Sequence, residues 1–546
     1  MAGDLRAFID GIKNTPQQCW NVQLIISLLV ISSAGWPKGY DEGGFSAVVS
    51  QPTFKNLYGL NAQQWKSDPG ALVNLNAWIT SLAVMGAAFG ALISVLINDR
   101  LGRKRSWQSY MAFWACGVFL QLFGSGYRAL LLVGRFWAGL GAGGLTVVGP
   151  VWLSEVAPTT IRGMCTSLYL TCVLFALMLG FFINYAALQT LTGDKQFQVV
   201  IGVQLIPTAI AMVASQFYAV ESPRWLLSVG RIDEAEQNMV RLRGLPIDHP
   251  YVASEMQAIK EAIADINGKT TLTRSIVRLF TVPTNRKRII LVLWMHVMSQ
   301  WTGGNGITYV IKDIFQYAGV QSNNTALITS GAYGAVKLFV SIIFALFLID
   351  TFGRRKCAFA GLGFQLLAHA YLATFLGVTK DQSKLELSTG ANKRASDGAV
   401  AMIFVYAIGW SMGFCTIPYI YGSEVFSIDT RSAGASLSMA VHWFMQFSVV
   451  RLAPNLLHSL NVYGAFIFWG CVCFAGIVTL FFMMPETNNI SLEEMDVLFT
   501  SPLWRCGLSR HSKPTNRAGI SQDFARGNGK EDDDDSSSIE KRIDGI

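Results

Sequence analysis

The sequence predicts an all-α polytopic membrane protein, with twelve transmembrane helices in two halves of six. Three observations predict it. Charged residues make up only 14% of the 546 positions and hydrophobic residues 51%, with a mean hydropathy of +0.37; an ordinary soluble domain carries about 25% charged residues. The apolar residues come in blocks of about 20, the length a helix needs to cross a bilayer, whereas barrel strands are about half as long and alternate. The motifs of the first half also recur, in order, in the second. Asp99-Arg-Leu-Gly-Arg-Lys104 returns as Asp350-Thr-Phe-Gly-Arg-Arg355, and Ser154-Glu-Val-Ala-Pro with Arg162 returns as Ser423-Glu-Val-Phe with Arg431.

In chain order, residues 1–21 are mixed and polar, and read as a cytoplasmic arm rather than a cleavable signal. The first span runs from about Val22 to Val49 and contains the unusual stretch Gly35-Trp-Pro-Lys-Gly-Tyr-Asp-Glu-Gly-Gly44. Spans two to six follow at about 72–97, 107–127, 130–153, 165–188 and 199–219, completing a half over residues 22–219. Residues 220–288 carry charges of both signs and stretches of helical spacing, which predicts a cytoplasmic central loop with short helices. Spans seven to twelve lie at about 289–315, 326–349, 357–378, 400–420, 437–457 and 463–484, a second half over residues 289–484. The tail, 485–546, ends in Glu531-Asp-Asp-Asp-Asp535 and three serines. Such a segment cannot bury a core and is expected to be largely disordered.

The basic turns Arg100–Arg105 and Arg354–Lys356 place the short loops, and with them both termini, on the cytoplasmic side. The net charge of +8 is therefore an orientation signal and not a nucleic-acid patch. The nine cysteines fall mostly within apolar runs and form no CxxC pair, so neither a disulfide framework nor a metal site is expected. No phosphate loop, nucleophile triad or metal cluster is apparent, which excludes an ATP-driven pump and an enzyme from the expectation. Asn323-Asn-Thr325 is a glycosylation acceptor pattern on the outer side.

Chemistry concentrates in a few polar residues at membrane depth. Span seven contains Ser299-Gln-Trp-Thr-Gly-Gly-Asn-Gly-Ile-Thr-Tyr309, where Gln300, Thr302 and Asn305 sit on a helix softened by glycine. Amides on a weakened helix at the midplane point to a substrate site; the alternative use is a glycine-rich packing face. Asp41 is an intramembrane carboxylate, a functional group by default. Lys337, deep in span eight, is a costly ammonium that would favour a substrate carboxylate or else pair with a protein acceptor. The duplicated charges suggest a cytoplasmic gate in which Glu155, Arg162, Glu424 and Arg431 meet Arg103 and Arg354 in one alternating-access state and part in the other.

These motifs, with Gly134-Arg-Phe-Trp-Ala-Gly-Leu-Gly141, Glu221-Ser-Pro-Arg-Trp-Leu226 and Pro485-Glu-Thr487, resemble the sugar porter family of the major facilitator superfamily over nearly the whole chain. Arg243-Gly-Leu-Pro-Ile-Asp-His249, Gly334-Ala-Val-Lys337 and the run from Pro485 to Phe499 look closest to its fungal quinate permease-like branch. The resemblance implies the major facilitator fold and a secondary active transporter in the plasma membrane, functional as a monomer and without cofactors. It would import a monosaccharide or a cyclic hydroxy acid such as quinate by alternating access, with the proton as coupling ion. A facilitative neutral-sugar uniporter and a non-transporting nutrient receptor are the other readings. By resemblance, Asp41 carries the proton and Arg135 is its partner. Gln300 and Asn305 bind substrate hydroxyls, with Ser299 where the family has a second Gln. Leu170 replaces a sugar-binding Gln, Tyr419 a stacking Trp, and His442 an amide, with Gln446 one turn further on. These departures disfavour an ordinary hexose, because a site stripped of its polar partners loses affinity heavily. Lys337 and His442, read as a neutral hydrogen-bonding ring, favour a ligand bearing an acid group.

Overall fold

Helices form where the sequence places apolar blocks, and the computed structural model describes residues 15–124, 126–158, 161–267, 272–348, 352–380, 390–426, 430–487, 498–499 and 501–508. The first half comprises α1 (Val22–Val48), α2 (Pro69–Leu101), α3 (Arg103–Phe123), α4 (Arg128–Val156), α5 (Arg162–Thr190) and α6 (Lys195–Phe217). Four shorter helices follow: α7 (Pro223–Ser228), α8 (Ile232–Arg243), α9 (Pro250–Asn267) and α10 (Leu272–Thr281). The second half begins with α11 (Pro283–Trp301), α12 (Gly304–Tyr309) and α13 (Ile311–Tyr317), three pieces of one crossing. It continues with α14 (Asn323–Leu348), α15 (Arg354–Val378), α16 (Gly390–Met412), α17 (Ile417–Glu424), α18 (Arg431–Ser459) and α19 (Asn461–Met483).

Among the described residues, nine helical segments are long and apolar enough to cross a membrane by composition alone. The three further crossings are α3, α11–α13 and α18. On α3 and α18 buried polar residues lower the hydropathy, among them Gln121, His442 and Gln446, whereas the seventh crossing is cut into three short helices, the first of which carries Arg286-Lys287-Arg288 near its start. Large apolar side chains cover the outside instead, among them Phe119, Phe123, Phe217, Phe339 and Phe474. In hydrocarbon, polar side chains must turn inward.

Two details of the repeat are set by backbone geometry. Gly102 and Gly353, the glycines of the duplicated turn, have φ of +86° and +87°, a conformation only glycine adopts freely. Each turn is tied down by a carboxylate. Glu221 accepts the backbone N–H groups of Arg103 and Lys104, and Glu486 those of Arg354 and Arg355. The Glu-Ser-Pro and Pro-Glu-Thr motifs are thus the same device in the two halves.

The site is positioned by close packing of α1 on α5. Gly35, Gly39 and Gly43 form a stripe at four-residue spacing against the backbone of Tyr169, Val173 and Leu177. Small residues let helix backbones approach without side-chain bulk, the usual basis of helix association in lipid. A Cβ at Gly39 would run into the Val173 carbonyl oxygen. Gly39→Ala is therefore expected to destabilise the protein by about 1–3 kcal/mol, the usual cost of overpacking. Thermal unfolding in detergent checks this; an unchanged melting temperature would show that the two helices do not need this approach.

The halves meet along α2 against α18 and α5 against α14. At the end that carries α7–α10, Arg243 spans from Glu255 to the carbonyls of Val156 and Ala157, fastening the short helices to the end of α4. The first part of the tail differs from the expected disorder. Leu498, Phe499 and Cys506 are buried among second-half residues, and Lys287 Nζ donates to the carbonyls of Phe499 and Ser501 at 3.0 and 2.8 Å. The expected disorder of the acidic end, and most of the N-terminal arm (residues 1–14), fall outside the described residues.

Candidate functional site

The site grows from the break in the seventh crossing. Gly303 takes φ +104°, ending α11 and starting α12 in a new direction. The Thr302 carbonyl freed near the break meets a ring nitrogen of His369 at 3.0 Å. Tyr309, at the end of α12, is thereby carried toward α1. There Asp41 and Arg135 form a two-pronged ion pair, with Nη2 3.1 Å from Oδ2. Tyr309 donates its hydroxyl to the same Oδ2 at 3.1 Å. Arg135 also donates to the carbonyls of Ile79 and Thr80, and its guanidinium lies 3.7 Å from the centre of the Phe45 ring. The pair is unevenly covered: the Arg135 side chain is 1% exposed and that of Asp41 21%. The carboxylate is therefore the member that water and protons can reach.

Glu42, the next residue, points to the other half as well. Its Oε1 accepts from Gln446 Nε2 at 3.0 Å, and both side chains are buried. Lys38, one turn earlier, lies 4.8 Å from the centre of the Trp443 ring. Lys38, Asp41, Glu42, Tyr309, Trp443 and Gln446 line a small cavity closed by alanines of α2 and α4. It has room for water and not for a sugar.

Lys337 occupies a separate pocket of the second half. It is fully buried, donates to Thr308 Oγ1 at 3.2 Å and lies 3.9 Å from the Trp410 ring centre. Trp410 in turn reaches the Ser299 carbonyl, while the Ser299 hydroxyl donates to the Phe414 carbonyl. Gln300 is fully buried, and neither end of its amide has a partner among the described residues. Asn305 is buried on α12. Tyr419 and His442 share a 2.8 Å hydrogen bond, and the His296 ring stands 5.2 Å from that of His442. Leu170, on α5, packs against the second-half core. The residues expected to hold substrate thus fall into three adjoining groups: the cavity with Gln446, the Lys337–Trp410 pocket beside Ser299, and the Tyr419–His442–His296 cluster.

The gate charges divide similarly. Arg103 pairs with Glu155 at 3.0 Å and with Asp99 at 2.9 Å, all within the first half. Arg162 stands exposed at the start of α5. The backbone N–H of Arg354 is held by Glu486. Asp350 and the side chains of Glu424 and Arg431 lie outside the described residues. Among the described residues, hydrogen bonds between the halves lie at the middle and at the end away from α7–α10. They are Asp41–Tyr309, Glu42–Gln446, Thr146–Trp443, and Asn74 with Arg451 and Asn455. Asn323 is exposed at that same end.

Sequence reasoning missed Glu42, Tyr309, Trp410 and His296. Glu42 was visible as a second carboxylate in the first span. His296 lies one turn before Ser299. The roles of Tyr309 and Trp410 had no signal, because an aromatic in a membrane helix usually faces lipid or core.

The comparisons with known proteins agree with one another. Residues 27–499 match the family model described as "Sugar (and other) transporter". The "Probable quinate permease" of Aspergillus clavatus is 30% identical over 503 residues, covering 90% of this chain and 91% of the relative. That of Aspergillus niger is 30% identical over 527 residues, 94% of each chain. Among solved structures, the proton:xylose symporter XylE bound to 6-bromo-6-deoxy-D-glucose superposes with a TM-score of 0.71 at 19% identity, over 87% of this chain and 99% of that one. A partially occluded, inward-open form of XylE from E. coli gives 0.69 at 19%, over 86% and 100%. At such identity the likeness establishes the fold, that of the major facilitator superfamily.

Proposed function

The chain belongs to the sugar (and other) transporter family, and from that premise we propose that it imports a polyhydroxylated monocarboxylic acid of quinate type by proton symport. It is a membrane transporter and not an enzyme. The observation that carries the coupling is the Asp41–Arg135–Tyr309 contact: a half-shielded carboxylate, ion-paired within one half and hydrogen-bonded to the other. Protonating Asp41 neutralises it, which weakens its hold on Arg135 and its acceptance from Tyr309. A proton there therefore changes how firmly the halves are joined, which is what coupling requires.

In this cycle the end bearing α7–α10 faces the cytoplasm of a cell whose plasma membrane the chain spans. The outward-open protein takes a proton at Asp41 and a substrate between the halves. Gln300 and Asn305 offer amides to its hydroxyls, Tyr419 and His442 flank its ring, and Lys337 attracts its carboxylate. The halves then rock, the cytoplasmic charges separate, and both ligands leave inward. The acid preference rests on Lys337, which lacks an ion pair among the described residues, and draws support from the quinate permease names of the fungal relatives. A competition panel in transporter-null cells expressing the chain tests it. Quinate is expected to suppress uptake of labelled quinate, while glucose and xylose leave it nearly intact; suppression by neutral sugars alone would retire the acid reading.

A further inference from the structure

Asp41 and Glu42 are consecutive, and in a regular helix consecutive side chains diverge by about 100°, the angle per residue at 3.6 residues per turn. Here Asp41–Phe45 is a π turn. Such turns insert a residue into the helix and recur at functional sites. Both carboxylates end up facing the second half, Asp41 toward Tyr309 and Glu42 toward Gln446. Asp41 already has Arg135. Glu42 has no ion pair among the described residues; Lys38 and Lys337 are the cations acting on it through space. Gln446, 1% exposed, gives its N–H to Glu42 and keeps its carbonyl oxygen unpartnered among the described residues. A buried amide half-satisfied by a carboxylate from the opposite half is poised to change partners when the halves part.

The formal charges sharpen this. Lys38, Arg135 and Lys337 bring three positive charges, and Asp41 and Glu42 two negative ones. Arg135 cancels Asp41, and Glu42 offsets one lysine, so one positive charge remains for a ligand. We propose that Glu42 is a charge-selectivity residue. In the closed protein its carboxylate occupies the Gln446 amide and partly cancels the lysine field, which is the place a substrate's own carboxylate competes for. The wild-type site then admits a single negative charge and holds it less tightly than the lysines alone would. This rests on the reading above that Lys337 draws an acid group.

The test uses the purified full chain, with dissociation constants for quinate and xylose read from quenching of tryptophan fluorescence; Trp443 and Trp410 border the two lysines. Glu42→Gln keeps a hydrogen-bond acceptor and removes the charge. It is expected to tighten quinate binding about tenfold, the scale of one unit charge acting through a protein interior, with xylose binding changed less than twofold. Glu42→Asp keeps the charge and is expected to preserve the wild-type ratio of the two constants; it also serves if Glu42→Gln fails to fold. An unchanged ratio in Glu42→Gln, or an equal change for both ligands, overturns the proposal, as does a shifted ratio in Glu42→Asp. Lys337→Met separates the two readings. If it weakens quinate binding while Glu42→Gln leaves the ratio unchanged, the role of Glu42 fails and the acid reading stands. If quinate binding survives Lys337→Met, or the wild-type chain binds no quinate, the acid reading fails.

Discussion

Asp41→Asn is expected to abolish uphill uptake. Asparagine preserves the size of the side chain and can still accept from Tyr309, but it cannot carry a proton. In proteoliposomes with an imposed pH gradient, the wild-type chain should accumulate substrate, whereas Asp41→Asn should stop at equal concentrations on both sides. Exchange of labelled for unlabelled substrate should persist, since it requires the halves to rock but not the proton to cross. Stability should fall too. Removing one partner of a buried ion pair costs about 3–5 kcal/mol, and Arg135 would be left with the carbonyls of Ile79 and Thr80 and the face of Phe45. Those contacts and the exposed edge of Asp41 place the expected loss at the lower end of that range. Gradient-driven accumulation surviving in Asp41→Asn would remove Asp41 from the coupling.

Lys337→Met carries the second large effect, and its two consequences have opposite signs. Uptake of an acid substrate should fall about thirtyfold to several thousandfold, the equivalent of the roughly 2–5 kcal/mol that losing one member of a buried charge pair costs. Stability should hold or rise. The ammonium is fully buried, donates to the Thr308 hydroxyl oxygen, and has the Trp410 and Tyr333 rings for compensation. A desolvated cation–π contact contributes about 2 kcal/mol, less than the several kcal/mol that burying an ion costs. Replacing a buried ion with a well-packed apolar side chain is often neutral or stabilising by about 1–4 kcal/mol. A residue kept against its own stability cost is best explained by function. Uptake and melting temperature measured on the same preparation decide the matter. A large fall in both would mark Lys337 as structural.

The sequence and the structure agree most closely where hydrophobicity decides. A block of apolar residues can satisfy its backbone in lipid only as a helix, so α2, α4 and α5 lie close to where composition puts them. Agreement weakens where a helix has a second task. Composition makes the seventh crossing one run over 289–315, whereas it begins at Pro283 and breaks at Gly303 and Val310. The glycines announced a weak point but not the new direction, which depends on His369 meeting Thr302 from another helix. The tenth crossing is also interrupted, between α16 and α17. Composition predicts a largely disordered tail, yet Leu498 and Phe499 are buried in a core cluster that only the assembled second half supplies.

The site divides along the same line. The sequence by itself determined the duplicated turns, the anomaly of Gln300 and Asn305 in an apolar run, and Asp41 as a charge that hydrocarbon would not tolerate alone, while the motifs carried the family and, through it, Arg135. The polar residues among these follow from local chemistry, because an apolar environment imposes the same demand on every polar group inside it. Which groups answer that demand is a matter of contacts between helices far apart in the chain. Tyr309 on Asp41 and Gln446 on Glu42 join residues 268 and 404 positions apart. Only the tertiary structure could decide those partners, since no periodicity within one helix records what faces it.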